Sequence, residues 1–487
     1  MSISSAISNA MSGLTVASRA ADIVSSNIAN AMTEGYGVRE LSISARSVGN
    51  AGAGASVSGV VRHEDVVLIG HRRRAEAELG FGTTQSQYLS RLESMIGTPD
   101  QTGSLAARSA AFEAALTAAA SSPHDHIRLA GAVAAAVGLA TTINGIADGV
   151  QTQRLAADEA IARRVERLNG TLNDLHKLNT RIRQDAGAGQ DVAALRDAQA
   201  QLLNDIAPLM ALESRRDASG ALQLYSADGQ VLLDGQAAVL GFSPVTVMTA
   251  ERTMAGGSLS GLTLNGRPMF SSGATTALDG GELAALFLQR DAWGPAAQRA
   301  IDAVARDLAT RFDAAGLDPT RAPGQPGLFT DDGAMVDPAA ETGLAARLRV
   351  NAAVVPEQGG AHWRLRDGLG AMVPGPGGAA GLLQAQIDTL SALRPTVSGG
   401  FSAKGRSFAG LVADHLSGIG LARQSAEISQ SHATTRLEAL HSAERAQGVD
   451  TDGEMQQLLR IEQAFAANAR VMTAAQDMID ELIRMVR

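Results

Sequence analysis

The sequence contains no cysteine, which removes disulfides, thiol nucleophiles and Cys-based metal sites from consideration. Aromatic residues are scarce at 3%, although hydrophobic residues make up an ordinary 45%. Much of that apolar fraction is alanine, and small side chains suit close helix packing better than one large jigsaw core. The net charge of −9 and the lack of a long basic run argue against a nucleic-acid surface. The one dense basic cluster, Arg72-Arg73-Arg74, reads as a solvated helix face rather than a phosphate clamp. No run of about 18 apolar residues stands out, so no membrane span is expected. No N-terminal segment combines a basic flank, an apolar run and a small-residue cleavage site, so no cleaved secretory signal is expected. Taken alone, these absences point to a cytoplasmic protein, and 487 residues allow two to four domains.

What is present is concentrated at the two ends. From Met1 to Ala31, apolar residues recur at 3.5-residue spacing as Ile3, Ile7, Ala10, Leu14, Ala17, Ala21, Val24 and Ile28. The spacing returns at the far end as Leu458, Ile461, Phe465, Asn468, Met472, Ala475, Ile479, Leu482 and Val486. A seven-residue repeat places such side chains on one stripe of a helix, and helices with such stripes supercoil around each other. Either stripe alone is also what an ordinary amphipathic core helix shows; the pair at both ends favours helices that meet. Asn468, a polar residue within the seam, is expected to set register or partner number. Stripes so rich in alanine bury little area, so the terminal helices are expected to order only against partners.

The residues beside the stripes carry a resemblance. After the N-terminal helix comes Asn27-Ile28-Ala29-Asn30-Ala31-Met32-Thr33-Glu34-Gly35-Tyr36. Around the C-terminal helix come Gly448-Val449-Asp450-Thr451-Asp452-Gly453-Glu454-Met455 and Glu462-Gln463-Ala464-Phe465-Ala466-Ala467-Asn468-Ala469-Arg470-Val471. This combination resembles the bacterial flagellar axial proteins of the rod, hook and hook-associated families. Within them, the block from Asp279-Gly280-Gly281-Glu282 through Phe287 to Gln289-Arg290-Asp291 is similar to one in the family that joins hook to filament. Ala194-Leu195-Arg196-Asp197 with Leu202-Leu203, and Gly327-Leu328-Phe329, resemble the same family. Two departures stand out. The family usually has Ser-Arg after its Gly-Tyr pair, where this chain has Gly37-Val38-Arg39, and usually Tyr where this chain has Phe465.

The resemblance implies a structural subunit at the junction of hook and filament, exported unfolded through a dedicated channel and secreted to the bacterial flagellum. It implies self-association into a ring or tubular layer, with the hook protein on one side and the next, filament-side hook-associated protein on the other. It further implies a cytoplasmic export chaperone at the C-terminal helix. A hook or distal-rod protein is the near alternative and predicts a β-dominated middle. A soluble helical enzyme or adhesin is the distant one and predicts folded termini in the monomer.

Along the chain, residues 50–60 read as a small-residue strand or linker, and Val60, Val61, Val66, Val67 and Ile69 extend strand-like character until helix resumes near Gln85. Helix then continues to about Met210, broken at Gly97-Thr98-Pro99-Asp100 and Ser121-Ser122-Pro123-His124, with the longest helix from about Asp125 to Asp185. Leu222–Tyr225 and Val231–Leu233 flank an Asp228-Gly229 turn and read as a hairpin. Helix returns from Gly281 to about Ala315, then from Gly405 to Ala446 and Asp452 to Met485, with Thr451 or Asp452 as N-cap. The expected fold is mainly α with β-rich insertions. A coiled-coil-like terminal domain comprises 1–60 and 448–487; a long helical-bundle rod domain comprises 61–325 and 401–447, with a hairpin insertion at about 211–275; a small β-rich or irregular outer domain comprises 326–400.

Signals for chemistry are weak. His124-Asp125-His126 lacks a third ligand set and reads as a cap with solvent contacts rather than a metal site. Asp450-Thr451-Asp452-Gly453-Glu454 lacks the later ligands of a calcium loop and reads as a helix start. Gly375-Pro376-Gly377-Gly378-Ala379-Ala380 fits a dinucleotide fingerprint without the βαβ unit that gives it meaning. No catalytic residue, cofactor or metal is expected. The functional residues are instead the assembly seam: Ile3, Ile7, Leu14, Val24, Ile28, Leu458, Ile461, Phe465, Asn468, Met472, Ile479, Leu482 and Val486.

Overall fold

The computed structural model describes residues 3–33, 35–48, 51–269, 278 and 280–486. Helices dominate. In chain order the elements begin with α1 (Ile3–Ala29), strands β1 (Val38–Val48) and β2 (Ala51–His63), then α2 (Val66–Ile96), α3 (Leu105–Ser121), α4 (His126–Gly187) and α5 (Ala193–Ile206). Strands β3 (Leu212–Arg216), β4 (Leu222–Ser226), β5 (Val231–Asp234), β6 (Gln236–Ala237), β7 (Leu240–Gly241), β8 (Thr263–Leu264) and β9 (Arg267–Pro268) follow. Next come α6 (Gly281–Leu288), a π-helical turn at Gln289–Trp293, α7 (Gly294–Phe312), β10 (Phe329–Asp331), α8 (Leu344–Arg347), β11 (Leu348–Val350), α9 (Arg364–Asp367) and α10 (Gly381–Ser391). The chain closes with β12 (Arg394–Pro395), β13 (Gly405–Arg406), α11 (Phe408–Ala446) and α12 (Thr451–Val486). Expectations that fall on Met1, Ser2, Glu34, Asn50, residues 270–277 and Asp279 lie outside the described residues.

Contacts divide the chain into two compact units, residues 1–79, 167–239 and 433–487 in the first and 80–166 and 240–432 in the second. In the first unit, β1 and β2 pair antiparallel, with register shifts at Ser42/Ile43 and Ala45/Ser47. The glycine- and serine-rich sequence of β2 follows from its approach to α1. The Ala55 N–H donates to Ser12 Oγ at 3.2 Å, and a Cβ added to Gly54 would fall 2.0 Å from that oxygen. The same unit holds the sheet β3-β4-β5-β6. Its β4–β5 hairpin turns at Asp228-Gly229, where Gly229 sits at φ +79°, a conformation that suits glycine. Buried Asn179 of α4 ties this sheet to α5. Its Oδ1 accepts from the Leu222 N–H and from Gln199 Nε2, and its Nδ2 donates to the Leu222 carbonyl, all at 2.8–2.9 Å.

The second unit is a helical bundle with one continuous apolar core that includes Leu105, Phe112, Leu116, Leu129, Ile143, Ile301, Leu308, Phe312, Phe329 and Leu411. Three of the few aromatic rings, Phe112, Phe312 and Phe329, stack with centroids 5.2–5.9 Å apart. Buried arginines knit the rest. Arg154 donates to the carbonyls of Arg290, Thr249 and Arg252. Arg290 pairs with buried Asp158 at 2.6 Å, and Arg311 with Asp307. Charges this deep persist because each finds a carboxylate or a set of carbonyls.

Three expectations are corrected. Helix resumes at Val66, well before Gln85, because Asp65 caps it: Asp65 Oδ1 accepts the N–H groups of Val67 and Leu68 at 3.0 and 2.9 Å. The valines that suggested a strand are tolerated in the exposed first turn. The segment 326–400, expected as a small β-rich or irregular outer domain, is largely irregular and not set apart: its strands β10 and β11 are three residues each, and Leu344, Leu365, Leu383 and Leu390 are in the bundle's core. Pro338 and Pro356 each begin a 3₁₀ turn. Finally, among the described residues one helix, α4, has a stretch long and apolar enough to cross a membrane; 44% of that stretch is buried within the protein, where it is a core helix.

Candidate functional site

The two ends of the chain lie side by side. Asn27 of α1 touches Glu454 of α12, and a Cβ on Gly13 would fall 2.6 Å from Asn468 Nδ2. Fourteen residues along each helix separate these two contacts, running in opposite directions, so the pair is antiparallel. On α1, Ala10, Ala17 and Val24 are buried and Ile3, Ile7, Leu14 and Ile28 half-buried. On α12 only Ala475 is fully buried; Leu458, Ile461, Asn468, Met472 and Ile479 are half-buried. Phe465 and Leu482 remain 46% and 49% exposed. The Val486 side chain lies outside the described residues. Asn468 enters the pair through shape: its amide donates to the Ala464 carbonyl of its own helix at 2.9 Å, and the missing side chain of Gly13 makes room for it.

A polar node holds the base of the pair. Asn27 is 1% exposed and uses its whole amide. Its Nδ2 donates to the Arg39 carbonyl and to Glu454 Oε1, both at 2.9 Å. Its Oδ1 accepts from the Tyr36 hydroxyl at 2.8 Å and the Arg39 N–H at 3.1 Å. Around it, Asn30 donates to the Ser26 carbonyl and Thr33 to Asn30 Oδ1, closing the end of α1. Gly35 turns the chain at φ +78°, and the Arg39 guanidinium lies 4.9 Å from the Tyr36 ring centre. Asp197 of α5 accepts from Arg39 Nη2 at 2.5 Å, from Arg62 Nε at 2.8 Å and from the Gly37 N–H at 3.3 Å. Three separately quoted stretches, Asn27–Tyr36, Ala194–Asp197 and Gly448–Met455, therefore meet at one place.

The node explains one departure from the family pattern. A Cβ at position 37 would fall 2.4 Å from Arg62 Nε, so glycine is what this arrangement of Arg62 admits. The helix start at 450–454 also differs from expectation. Asp450, not Thr451 or Asp452, is the cap, its Oδ1 accepting the Asp452 N–H at 3.1 Å. The basic cluster is likewise not a solvated face: Arg72 and Arg73 are 2% and 7% exposed, and only the Arg74 side chain is half in solvent. Arg72 pairs with Glu76 and, at 2.7 Å, with Glu444. Burial raises the Glu76 carboxyl above its usual range against the pull of Arg72.

Sequence reading missed a second stripe on α12. Ala464, Ala467, Val471, Ala474, Met478, Leu482 and Met485 recur at three- and four-residue steps, and all are exposed. The signal was present as a second heptad beside the first, overlooked because alanine occupies three of its positions. Elsewhere the chemistry-like motifs are structural. Asp125 Oδ1 accepts the N–H groups of Ile127 and Arg128 at the start of α4, which lowers its carboxyl below the usual value. Gly375 donates to Asp367 in a loop leading into α10. Among the described residues, no group of three or more His, Asp or Glu could hold a metal ion.

Comparison with known proteins finds matches at both ends of the chain and across its middle. Residues 89–329 match the family described as flagellar hook-associated protein FlgK helical domain. Residues 7–36 match the flagella basal body rod protein family, and 443–485 the C-terminal family of flagellar basal body rod FlgEFG proteins. Flagellar hook-associated protein 1 of Escherichia coli K12 is 27% identical over 244 residues, 48% of this chain and 44% of that protein. Its counterpart in Salmonella typhimurium LT2 is 28% identical over the same shares. The match thus spans less than half the length of these relatives. A solved structure described as the flagellar hook junction protein FlgK from Burkholderia pseudomallei aligns with 54% of this chain and 46% of that one, at 17% identity and a TM-score of 0.42. The chain thus carries a match to the FlgK helical domain between matches to rod-type families at its two ends, and is similar to flagellar hook-associated protein 1.

Proposed function

We propose that this chain is a structural subunit of the bacterial flagellum at the junction of hook and filament, and that the α1–α12 pair is its polymerisation domain. One observation carries the reading most directly. The paired termini partly cover one apolar stripe of α12, leaving Phe465 of that stripe half exposed, and leave a second, from Ala464 to Met485, exposed along the helix. An exposed heptad stripe on an already paired helix is suited to a second copy of the same helix pair, packing coiled-coil fashion into a ring or tubular layer. The hook protein would lie on one side of that layer and the next hook-associated protein on the other. Before export, the same surface is the place for a cytoplasmic chaperone. The helical bundle of the second unit favours this reading over a hook or rod protein, whose middle would be β-dominated. No catalytic, cofactor or metal role is part of it.

The test is genetic and structural together. A strain lacking the gene should carry hooks without attached filaments, and the native gene should restore filaments. A Val471→Asp/Met478→Asp variant should leave the monomer folded, because both side chains are about half exposed at 48%, yet fail to restore filaments. Full filament attachment by that variant would remove the exposed stripe from the assembly surface.

A further inference from the structure

The basic cluster dismissed as a solvated face is where the structure departs furthest from the ordinary treatment of charge. Arg73 is buried, yet among the described residues its hydrogen-bond partners are neutral oxygens, Asn204 Oδ1 at 3.1 Å and the Ala200 carbonyl at 3.4 Å. Its neighbour Arg72 has the carboxylates of Glu76 and Glu444; Arg73 ion-pairs with none. It lines a cavity of about 180 Å³ in the first unit together with Glu64, Gln199, Ser214, Arg215 and Arg216. Arg216 is similarly underpaired. It donates to Gln199 Oε1 and the Gly220 carbonyl, both at 3.3 Å, and reaches Glu64 Oε1 only at 4.0 Å. Glu64 already pairs with Arg62, and Arg215 turns its charge to solvent beside Glu213 at 3.6 Å.

The cavity therefore has more guanidinium than carboxylate on its walls, with one of those cations out of water. A buried guanidinium whose hydrogen-bond acceptors are all neutral, with Glu76 and Glu444 acting on it only at longer range, keeps donor capacity to spare. Planar guanidinium groups match oxyanions in shape and charge, and such charge-assisted hydrogen bonds are about twice as strong as neutral ones. We propose that this cavity is an anion site, taking an inorganic oxyanion of phosphate or sulfate size against Arg73 and Arg216. The arrangement agrees with the state of Arg73: burial, then repulsion from Arg72, lowers its guanidinium to about 10 despite the attraction of Glu76 and Glu444, while Arg216 keeps about a third of its side chain in solvent. An anion reverses that strain. Arg73 also lines the larger neighbouring cavity walled by Gly35–Val38, Gln447 and Gly448, so an ion there would stiffen the segment that leads into α12.

The test uses the full chain and inorganic phosphate as probe. Calorimetric titration with phosphate, at ionic strength held constant with sodium chloride, should show saturable binding and a matching rise in melting temperature. Sulfate should compete and acetate should not. Arg216→Gln and Arg73→Gln should each weaken phosphate binding by at least about tenfold, the loss of one charge-assisted contact. Arg215→Gln, in the same wall with its charge in solvent, should change it by less than about twofold. Circular dichroism reports whether each variant folds, and if Arg73→Gln does not, Arg216→Gln decides. Absence of saturable binding to the native chain would overturn the proposal. So would an equal response to chloride alone, or native affinity in folded Arg216→Gln.

Discussion

Replacing Asn27 tests whether the node holds the two ends of the chain together. Asn27→Ala removes four hydrogen bonds, to the Arg39 N–H, the Arg39 carbonyl, the Tyr36 hydroxyl and Glu454 Oε1. Three have neutral partners, each contributing about 1 kcal/mol net, and the fourth has a carboxylate, contributing about 2 kcal/mol. Tyr36, Arg39 and Glu454 are all half-buried, so water reaches some of the abandoned groups, and the expected loss is about 2–4 kcal/mol. Denaturant unfolding of the first unit measures it. Asn27→Asp should be worse than Ala. It keeps the acceptor but loses the donor to the Arg39 carbonyl and sets a second carboxylate 2.9 Å from Glu454. Adding Glu454→Gln should then restore part of the loss, a coupling that a double-mutant cycle isolates. A loss below about 1 kcal/mol for Asn27→Ala, with no coupling to Glu454, would refute the idea that this node pins the pair.

Gly37→Ser, which supplies the family's usual residue, should destabilise this chain by about 1–3 kcal/mol in denaturant melts, because its Cβ meets Arg62 at 2.4 Å; native stability would show that Arg62 moves freely. His415 is lowered to about 4 by burial, so the folded chain resists its protonation. Stability from keeping it neutral is present above pH 6.5 and is lost as pH falls towards 4, by about 3 kcal/mol at most. Asp302, raised to about 6 chiefly by burial, acts oppositely: its contribution is present below pH 3.8 and lost as pH rises to 6. Melting the second unit from pH 4 to 7 should therefore show a shallow profile in the native chain and a stability that falls with rising pH in His415→Met. An unchanged profile in that variant would place His415 in water. Replacing His124, Asp125 and His126 with Ala should remove the cap at the start of α4 and nothing else, leaving filament attachment scored as motility intact; lost motility in a folded, exported variant would reveal a site there.

How much of this was legible in the sequence differs by kind of signal. Apolar periodicity reports on which face of a helix is covered, yet among the positions it picked on α12, Phe465 and Leu482 stay about half exposed. The long helix α4 and the Asp228-Gly229 hairpin were visible for similar local reasons. Asn27 was quoted only as part of a motif, and no local property marks it. Its role depends on Glu454, 427 residues away, and on a turn that brings Arg39 back to it. The burial of Arg72 and Arg73 was unreadable for the same reason. Three consecutive arginines have the same local sequence whether they meet water or Asn204 and Glu444. The early start of α2 could have been read, since an Asp before an apolar run is an N-cap signal, but the valines' strand preference outweighed it. For residues 326–400 the sequence left β-rich and irregular structure open, because glycine and proline mark turns of every class, not β-turns alone.

The pair of terminal helices is unevenly held, and that unevenness suits a subunit that must join others. At its base, Asn27, Tyr36, Arg39 and Glu454 form a network in which each deletion strands a partner. Farther along α12, among the described residues only Ala475 is fully buried, and Gly13 meets Asn468 through shape, the Asn468 amide donating to its own helix. An alanine at the interface removes little apolar area from water, so each turn of this part of the seam adds little to the pairing. Local opening should therefore begin at the end of α12 that carries Met485 and stop at Glu454. Hydrogen exchange would read this as protection rising steadily from residue 486 back to 454, with the Arg39 N–H, bonded to Asn27, among the slowest amides of the first unit. Opening from the Met485 end exposes both apolar stripes of α12 at once while the node keeps the helix attached. Uniform protection along α12 would instead mean a rigid pair, and assembly would then have to use only the stripe already exposed.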